Sequence, residues 1–173
     1  MHSNILVIMA DITLGGNAIS TKGTIPQAGD SLKDFTLVRS DMQEVGLADY
    51  RGKNLILNIF PSVDTGVCAQ SVREFNKRAA SKDNTVVLNI SKDLPFAQKR
   101  FCAAEGLEGV ETLSDFRYGH IGDVYQTEIT NGGFKGLLSR VVIVADSNGK
   151  VLYSEQVPEI GEEPKYDEAL KTI

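Results

Sequence analysis

Two residues in this chain of 173 can act as nucleophiles through sulfur, Cys68 and Cys102. They sit at opposite ends of their expected elements. The stretch from Asn54 to Phe60 is almost continuously apolar, the turn from Pro61 to Val67 is small and polar, and the run from Ala69 to Ala80 carries apolar residues every third or fourth position. Strand, turn and helix in that order deliver Cys68 to a helix start. Free backbone N–H groups and the positive end of the helix dipole there favour thiolate over thiol, and the thiolate is the attacking species. An inert buried cysteine is the competing reading of the same position.

Cys102 falls in the last turn of a second expected helix. That helix is punctuated by Ser91 and Asp93 as capping residues, Pro95 in its first turn and Gly106 at its end. The dipole at a helix end does not help a thiolate, so the two thiols are expected to be unequal. Two cysteines and two histidines without a close ligand pair argue against structural zinc, and no clustered cysteines suggest haem or an iron–sulfur centre. No metal and no cofactor are expected.

These elements belong to a longer alternation. A hairpin is expected around Gly15-Gly16-Asn17, short strands over 35–38 and 43–47, buried strands over 54–60 and 85–90 joined through the Cys68 helix, and a short strand over 111–113. A helix near 120–125 follows, then strands 139–145 and 150–155 joined by the turn Asp146-Ser147-Asn148-Gly149, and a closing helix over 166–173. In the Cys68 helix, Ala69, Val72, Phe75 and Ala79 form the packing face, with Arg73, Lys77 and Arg78 towards water. The order implies a thioredoxin-like α/β fold, a central mixed sheet flanked by helices, with an added N-terminal β-hairpin. Residues 1–10 read as an extension and 11–173 as one domain.

A net charge of −5 argues against nucleic acid or an anionic membrane surface as the main partner. The one apolar N-terminal run, Ile5 to Met9, is too short for a signal sequence and follows no Lys or Arg. A cytoplasmic, non-membrane protein is expected, where a lasting structural disulfide is disfavoured.

Pro61, Thr65 and Cys68 form Pro-x-x-x-Thr-x-x-Cys, which resembles the active-site signature of the peroxiredoxins. The stretch from Ser91 through Asp93, Pro95 and Arg100 to Cys102 is similar to the segment carrying the resolving cysteine in the bacterial thiol peroxidase subfamily. The resemblance runs from about residue 11 to the C-terminus. It implies a thiol peroxidase that reduces hydrogen peroxide and alkyl hydroperoxides. Cys68 is then the peroxidatic residue, Thr65 holds the peroxide, Pro61 shapes and shields the turn, and Arg140 stabilises the thiolate. Cys102 is implied to be the resolving residue, forming an intramolecular disulfide that thioredoxin reduces, and the subunits are implied to form a homodimer. Asn89 stands where some relatives carry a third cysteine.

Two other readings compete. Cys68-x-x-Ser71 is superficially that of a thiol–disulfide oxidoreductase on the same fold, but the proline expected before the late strand is replaced by Ser139-Arg140. A binding module with incidental cysteines requires both motifs to be accidental. Val63, Val67 and Phe96 are apolar residues suited to alkyl peroxides or to the core. A start of one helix and an end of another seldom lie within the roughly 4.4–6.8 Å between Cα atoms that a disulfide needs. The first turn around 67–72 and the helix end at Cys102 are therefore expected to unwind before the cysteines join.

Overall fold

The computed structural model describes residues 11–173, so the expected extension over 1–10 lies outside the described residues. Its core is a seven-stranded mixed sheet made of β3 (Thr36–Arg39), β4 (Glu44–Gly46), β5 (Asn54–Ile59), β6 (Thr85–Ser91), β7 (Glu111–Ser114), β8 (Val141–Ala145) and β9 (Val151–Gln156). The strands lie in the order β4-β3-β7-β6-β5-β8-β9. Strand β5 runs parallel to β6, and β6 to β7, while β8 returns antiparallel beside β5. β5 is apolar on both faces because both are covered. Leu55, Leu57 and Ile59 join one core cluster, whereas Ile56 packs in the other with Phe75, Ala79, Ala169 and Leu170.

Phe75 and Ala79 come from α1 (Gly66–Ala79), and Ala169 and Leu170 from α4 (Tyr166–Leu170). Phe75 meets Tyr166 edge to face at 5.0 Å between ring centres. Truncating so buried an aromatic costs about 3–5 kcal/mol. The expected polar face of α1 is partly tied down: Arg78 pairs with Glu74 and Asp167 and lies over the Tyr166 ring, and Arg73 reaches Glu105. α2 (Pro95–Glu105) packs against β7, and α3 is a single turn over His120–Asp123.

A separate hairpin, β1 (Ile12–Leu14) with β2 (Asn17–Ile19), turns at Gly15 and Gly16, whose φ values of 58° and 81° are the two positive angles a tight hairpin needs. The turn at 146–149 joins β8 to an antiparallel β9, as the hairpin expected there requires. Gly149 supplies its positive φ, and the Asp146 carboxylate accepts from the amides of Asn148 and Lys150. The second short strand stops earlier than expected. Asp49 accepts from the Gly46 amide, and residues 47–50 wind into a 3-10 turn that buries Tyr50 against Glu111. α2 begins at Pro95 after Leu94, not on Ser91 or Asp93, whose side chains are engaged elsewhere.

Candidate active site

Cys68 is the third residue of α1 and has no exposed surface. The helix ladder opens where the Ala69 amide donates to Thr65 O at 3.0 Å, so the amides of Gly66, Val67 and Cys68 precede it as the donors of the helix start. Arg140 lies immediately before β8 and is 1% exposed. Its Nη2 donates to Cys68 Sγ at 3.2 Å and its Nε to Ile160 O at 2.8 Å, while Nη1 is buried without a partner among the described residues. Among the described residues no carboxylate lies within ion-pair distance of this guanidinium. A buried positive charge that no acid neutralises acts on its nearest polarisable neighbour, which is the sulfur. Sequence position alone would leave an arginine before a strand at the surface; here the packing of residues 157–160 covers it.

Pro61 is buried in the turn two residues beyond β5, and Thr65 occupies the N-cap position with extended backbone. The Thr65 hydroxyl does not cap the helix. It donates to Ser62 O at 3.1 Å, closing the turn on itself and leaving its lone pairs towards other donors. The turn is held from outside by Asp93, which accepts from Ser62 Oγ at 2.7 Å, from the Val63 amide at 2.9 Å and from Ser91 Oγ at 2.6 Å. Asp93 therefore spends its carboxylate on the peptide turn carrying the Pro-x-x-x-Thr motif, where a helix cap was expected. Its place in the second motif was visible, but its partner was not, since 30 residues separate them.

Cys102 sits in the last turn of α2, partly buried, and remains a free thiol like Cys68. Burial pushes its thiol up from the ordinary value, and a hydrogen bond with the Thr112 side chain opposes this. Its carbonyl accepts from the amide of Leu107, so the surroundings are those of a helix end. The chain on either side of Cys102 reaches the other cysteine: Phe101, Leu107 and Val110 pack on Phe60, Val63, Cys68 and Val72 as an apolar plug. Arg140 meets Cys68 directly, and Pro61 and Thr65 lie in the turn that leads into its helix, whereas Cys102 is not part of that cluster.

Ser71 has a use that removes it from redox chemistry. Its hydroxyl donates to Cys68 O at 2.8 Å and accepts from Asn58 Nδ2, which also donates to Asn89 Oδ1 at 3.0 Å. The Cys-x-x-Ser spacing is explained by the buried seat of α1. Val63 is core, whereas Val67 is half-buried and Phe96 is 66% exposed. Among the described residues no group of three or more His, Cys, Asp or Glu side chains could hold a metal ion, and no helix is long and apolar enough to cross a membrane.

The redoxin family profile matches residues 27–170. The chain is 53% identical over 165 residues to a thiol peroxidase of Corynebacterium glutamicum and 51% identical over 165 residues to one of Mycobacterium bovis, covering 95% of this chain and 99% of each relative. Among solved structures, a peroxiredoxin-like protein from Aquifex aeolicus superposes with a TM-score of 0.88 at 37% identity, over 95% of this chain and 99% of that one. A thiol peroxidase from Chromobacterium violaceum has the same fold, with a TM-score of 0.86 at 24% identity over 93% of this chain and 94% of that one. A family match over most of the chain and relatives alike over half their residues lead to one conclusion: the chain belongs to the redoxin family as a thiol peroxidase, a peroxiredoxin that reduces hydroperoxides.

Proposed function

We propose that Cys68 is the sulfur that attacks the peroxide and that Cys102 resolves the product. The observation that carries the reading is the Arg140 guanidinium, 3.2 Å from Cys68 Sγ, buried, and unpaired with any carboxylate among the described residues. A sulfur without exposure has lost its water, and the guanidinium with the helix-start amides replaces it around the anion. The thiolate lone pair forms an S–O bond to the hydroxyl-bearing peroxide oxygen as the O–O bond breaks; the leaving oxygen takes the electron pair as hydroxide or alkoxide and is then protonated from solvent, giving water or an alcohol. Arg140 Nη1, which has no other partner among the described residues, donates to a peroxide oxygen, and the Thr65 hydroxyl oxygen accepts a hydrogen bond from the peroxide O–H. Pro61, lacking an N–H, keeps the wall of the turn dry. The half-exposed Thr65 and Val67 mark the side of entry.

Cys68 is left as a sulfenic acid, which the Cys102 thiol attacks to give a disulfide and water. An external dithiol, assigned to thioredoxin, returns both thiols by exchange. Resolution requires the apolar plug to part and the turn 67–72 with the end of α2 to unwind. We assign hydrogen peroxide and alkyl hydroperoxides as substrates, a cytoplasmic location, a single domain over residues 11–173 and a homodimer. The exposed apolar side chains Leu94, Phe96 and Phe116 support subunit contact.

The test is single-turnover oxidation by hydrogen peroxide and an alkyl hydroperoxide, followed by mass measurement of the trapped forms. Wild type should gain a Cys68–Cys102 disulfide, Cys102→Ser should stop at the Cys68 sulfenic acid, and Cys68→Ser should consume no peroxide. Retained activity in Cys68→Ser overturns the assignment. Hydrogen exchange should show protection lost only at 67–72 and the end of α2 on disulfide formation; equal protection in both redox states rules out the unwinding.

A further inference from the structure

The guanidinium of Arg140 is oriented by two contacts, the sulfur of Cys68 and the carbonyl of Ile160. What holds that carbonyl is not the central sheet. Residues 157–160 run between Arg140 and the N-terminal hairpin: the Val157 amide donates to Arg140 O at 3.0 Å, and the Thr13 amide donates to Pro158 O at 2.7 Å. The Ile160 amide donates back to Thr13 O at 3.0 Å, so β1 and this loop form a short parallel bridge between Thr13 and Glu159. The Glu159 carboxylate closes the arrangement, accepting from Thr13 Oγ1 at 2.7 Å and from the Gly16 amide in the hairpin turn at 3.1 Å. Those bonds, the Thr13 hydroxyl foremost, hold the carboxyl below the usual range against a smaller opposing effect of burial. On the inner side, Ile160 packs with Ile12, Ile19 and Ile129.

We infer that the β1–β2 hairpin is a positioning element for Arg140, with Thr13 and Glu159 as its clasp and the Ile160 carbonyl as the part that touches the guanidinium. This rests on the assignment of Cys68 and Arg140 made above. The physical reason is that a buried arginine without a carboxylate has no strong partner to set its plane. One carbonyl fixes the Nε edge, and that fixes where Nη2 and Nη1 point. Catalytic groups must be held to within about 0.5 Å, and a displacement of about 1 Å can cost on the order of a hundredfold in rate. The hairpin therefore acts on the reaction through Ile160 without touching the reacting atoms.

Thr13→Pro is the discriminating change. Both backbone groups of Thr13 face residues 158–160, so proline deletes the bond to Pro158 O and the hydroxyl bond to Glu159 while sparing the ladder to β2. The measurement is the second-order rate of Cys68 oxidation by hydrogen peroxide, beside iodoacetamide alkylation of each cysteine at fixed pH. Thr13→Pro should slow peroxide oxidation by about tenfold, Glu159→Ala by a smaller factor, and Thr13→Ser should restore the wild-type rate because it keeps the hydroxyl. Alkylation of Cys102 should be the same in all, which a general loosening of the fold would not allow. If Thr13→Pro does not fold, Glu159→Ala with Thr13→Ser carries the test. Wild-type oxidation rates in Thr13→Pro or, in that case, Glu159→Ala overturn the inference when Arg140→Ala is slow. A wild-type rate in Arg140→Ala itself overturns the assignment of Arg140 and the inference with it.

Discussion

The two cysteines share a side chain and differ in everything around it. Cys68 lies at the start of α1, wholly buried, with the Arg140 guanidinium on its sulfur. Cys102 lies at the end of α2, partly buried, with a threonine on its sulfur and burial favouring the protonated form. Burial by itself therefore does not distinguish the two. The end of the helix each occupies and the cation beside Cys68 do, and the proposed roles rest on that difference.

The largest test of that contrast exchanges the thiols for hydroxyls one at a time. Cys68→Ser should abolish turnover, because a serine hydroxyl is not ionised near neutral pH. Cys102→Ser should keep the first oxidation and lose repeated turnover with a dithiol reductant, as seen in a coupled thioredoxin assay. Arg140→Ala comes next. It should slow Cys68 oxidation on the order of a hundredfold and slow Cys68 alkylation at neutral pH, leaving Cys102 alkylation alone. Equal alkylation of Cys68 with and without Arg140 would erase the electrostatic half of the contrast.

A smaller effect concerns Cys102 and pH. In a Cys68→Ser background its alkylation should stay slow at neutral pH and rise only above about 8.5, the ordinary thiol value, because burial has pushed it up. Thr112→Val removes the opposing hydrogen bond and should move the rise further towards alkali. The sign for stability follows: the folded protein holds this proton more tightly than the unfolded chain, so the contribution is present below the unfolded value and is lost as pH rises through the folded one. A chemical-denaturation series across that window, compared with Cys102→Ala, reads it.

The smallest concerns the strap between the helices. Arg73 Nη1 and Glu105 Oε2 are 2.7 Å apart, joining the helix that carries Cys68 to the helix that carries Cys102. Exposed pairs of this kind contribute up to about 1 kcal/mol. Glu105→Gln should therefore speed disulfide formation by no more than about fivefold, with the peroxide step unchanged. Stopped-flow traces separate the two phases, and slower resolution would show that the pair guides Cys102 instead of restraining it.

Much of this was legible along the chain. The apolar run over 54–60, the spacing of Ala69, Val72, Phe75 and Ala79, and the glycines at 15, 16 and 106 follow from local rules that need only neighbours in sequence. So do the places of the two cysteines, one at a helix start and one at a helix end. Long-range pairings were not legible. Asp93 could be read as a cap because a carboxylate near a helix start satisfies that rule equally well; only the arrival of Ser62 and Val63 beside it assigned it to the active-site turn.

Arg140 marks the boundary most clearly. Its charge and five donors are determined by residue type, and its match to a family motif could be read from the sequence. Its burial, the lack of a carboxylate partner among the described residues and its aim at Cys68 come from β8 lying beside β5 and from the hairpin bracing residues 157–160 over it. Sequence carries what a residue is able to do. The tertiary structure decides which partner it meets, because hydrogen bonds and charges act over a few ångströms in space while 72 positions of chain separate Arg140 from the sulfur it serves.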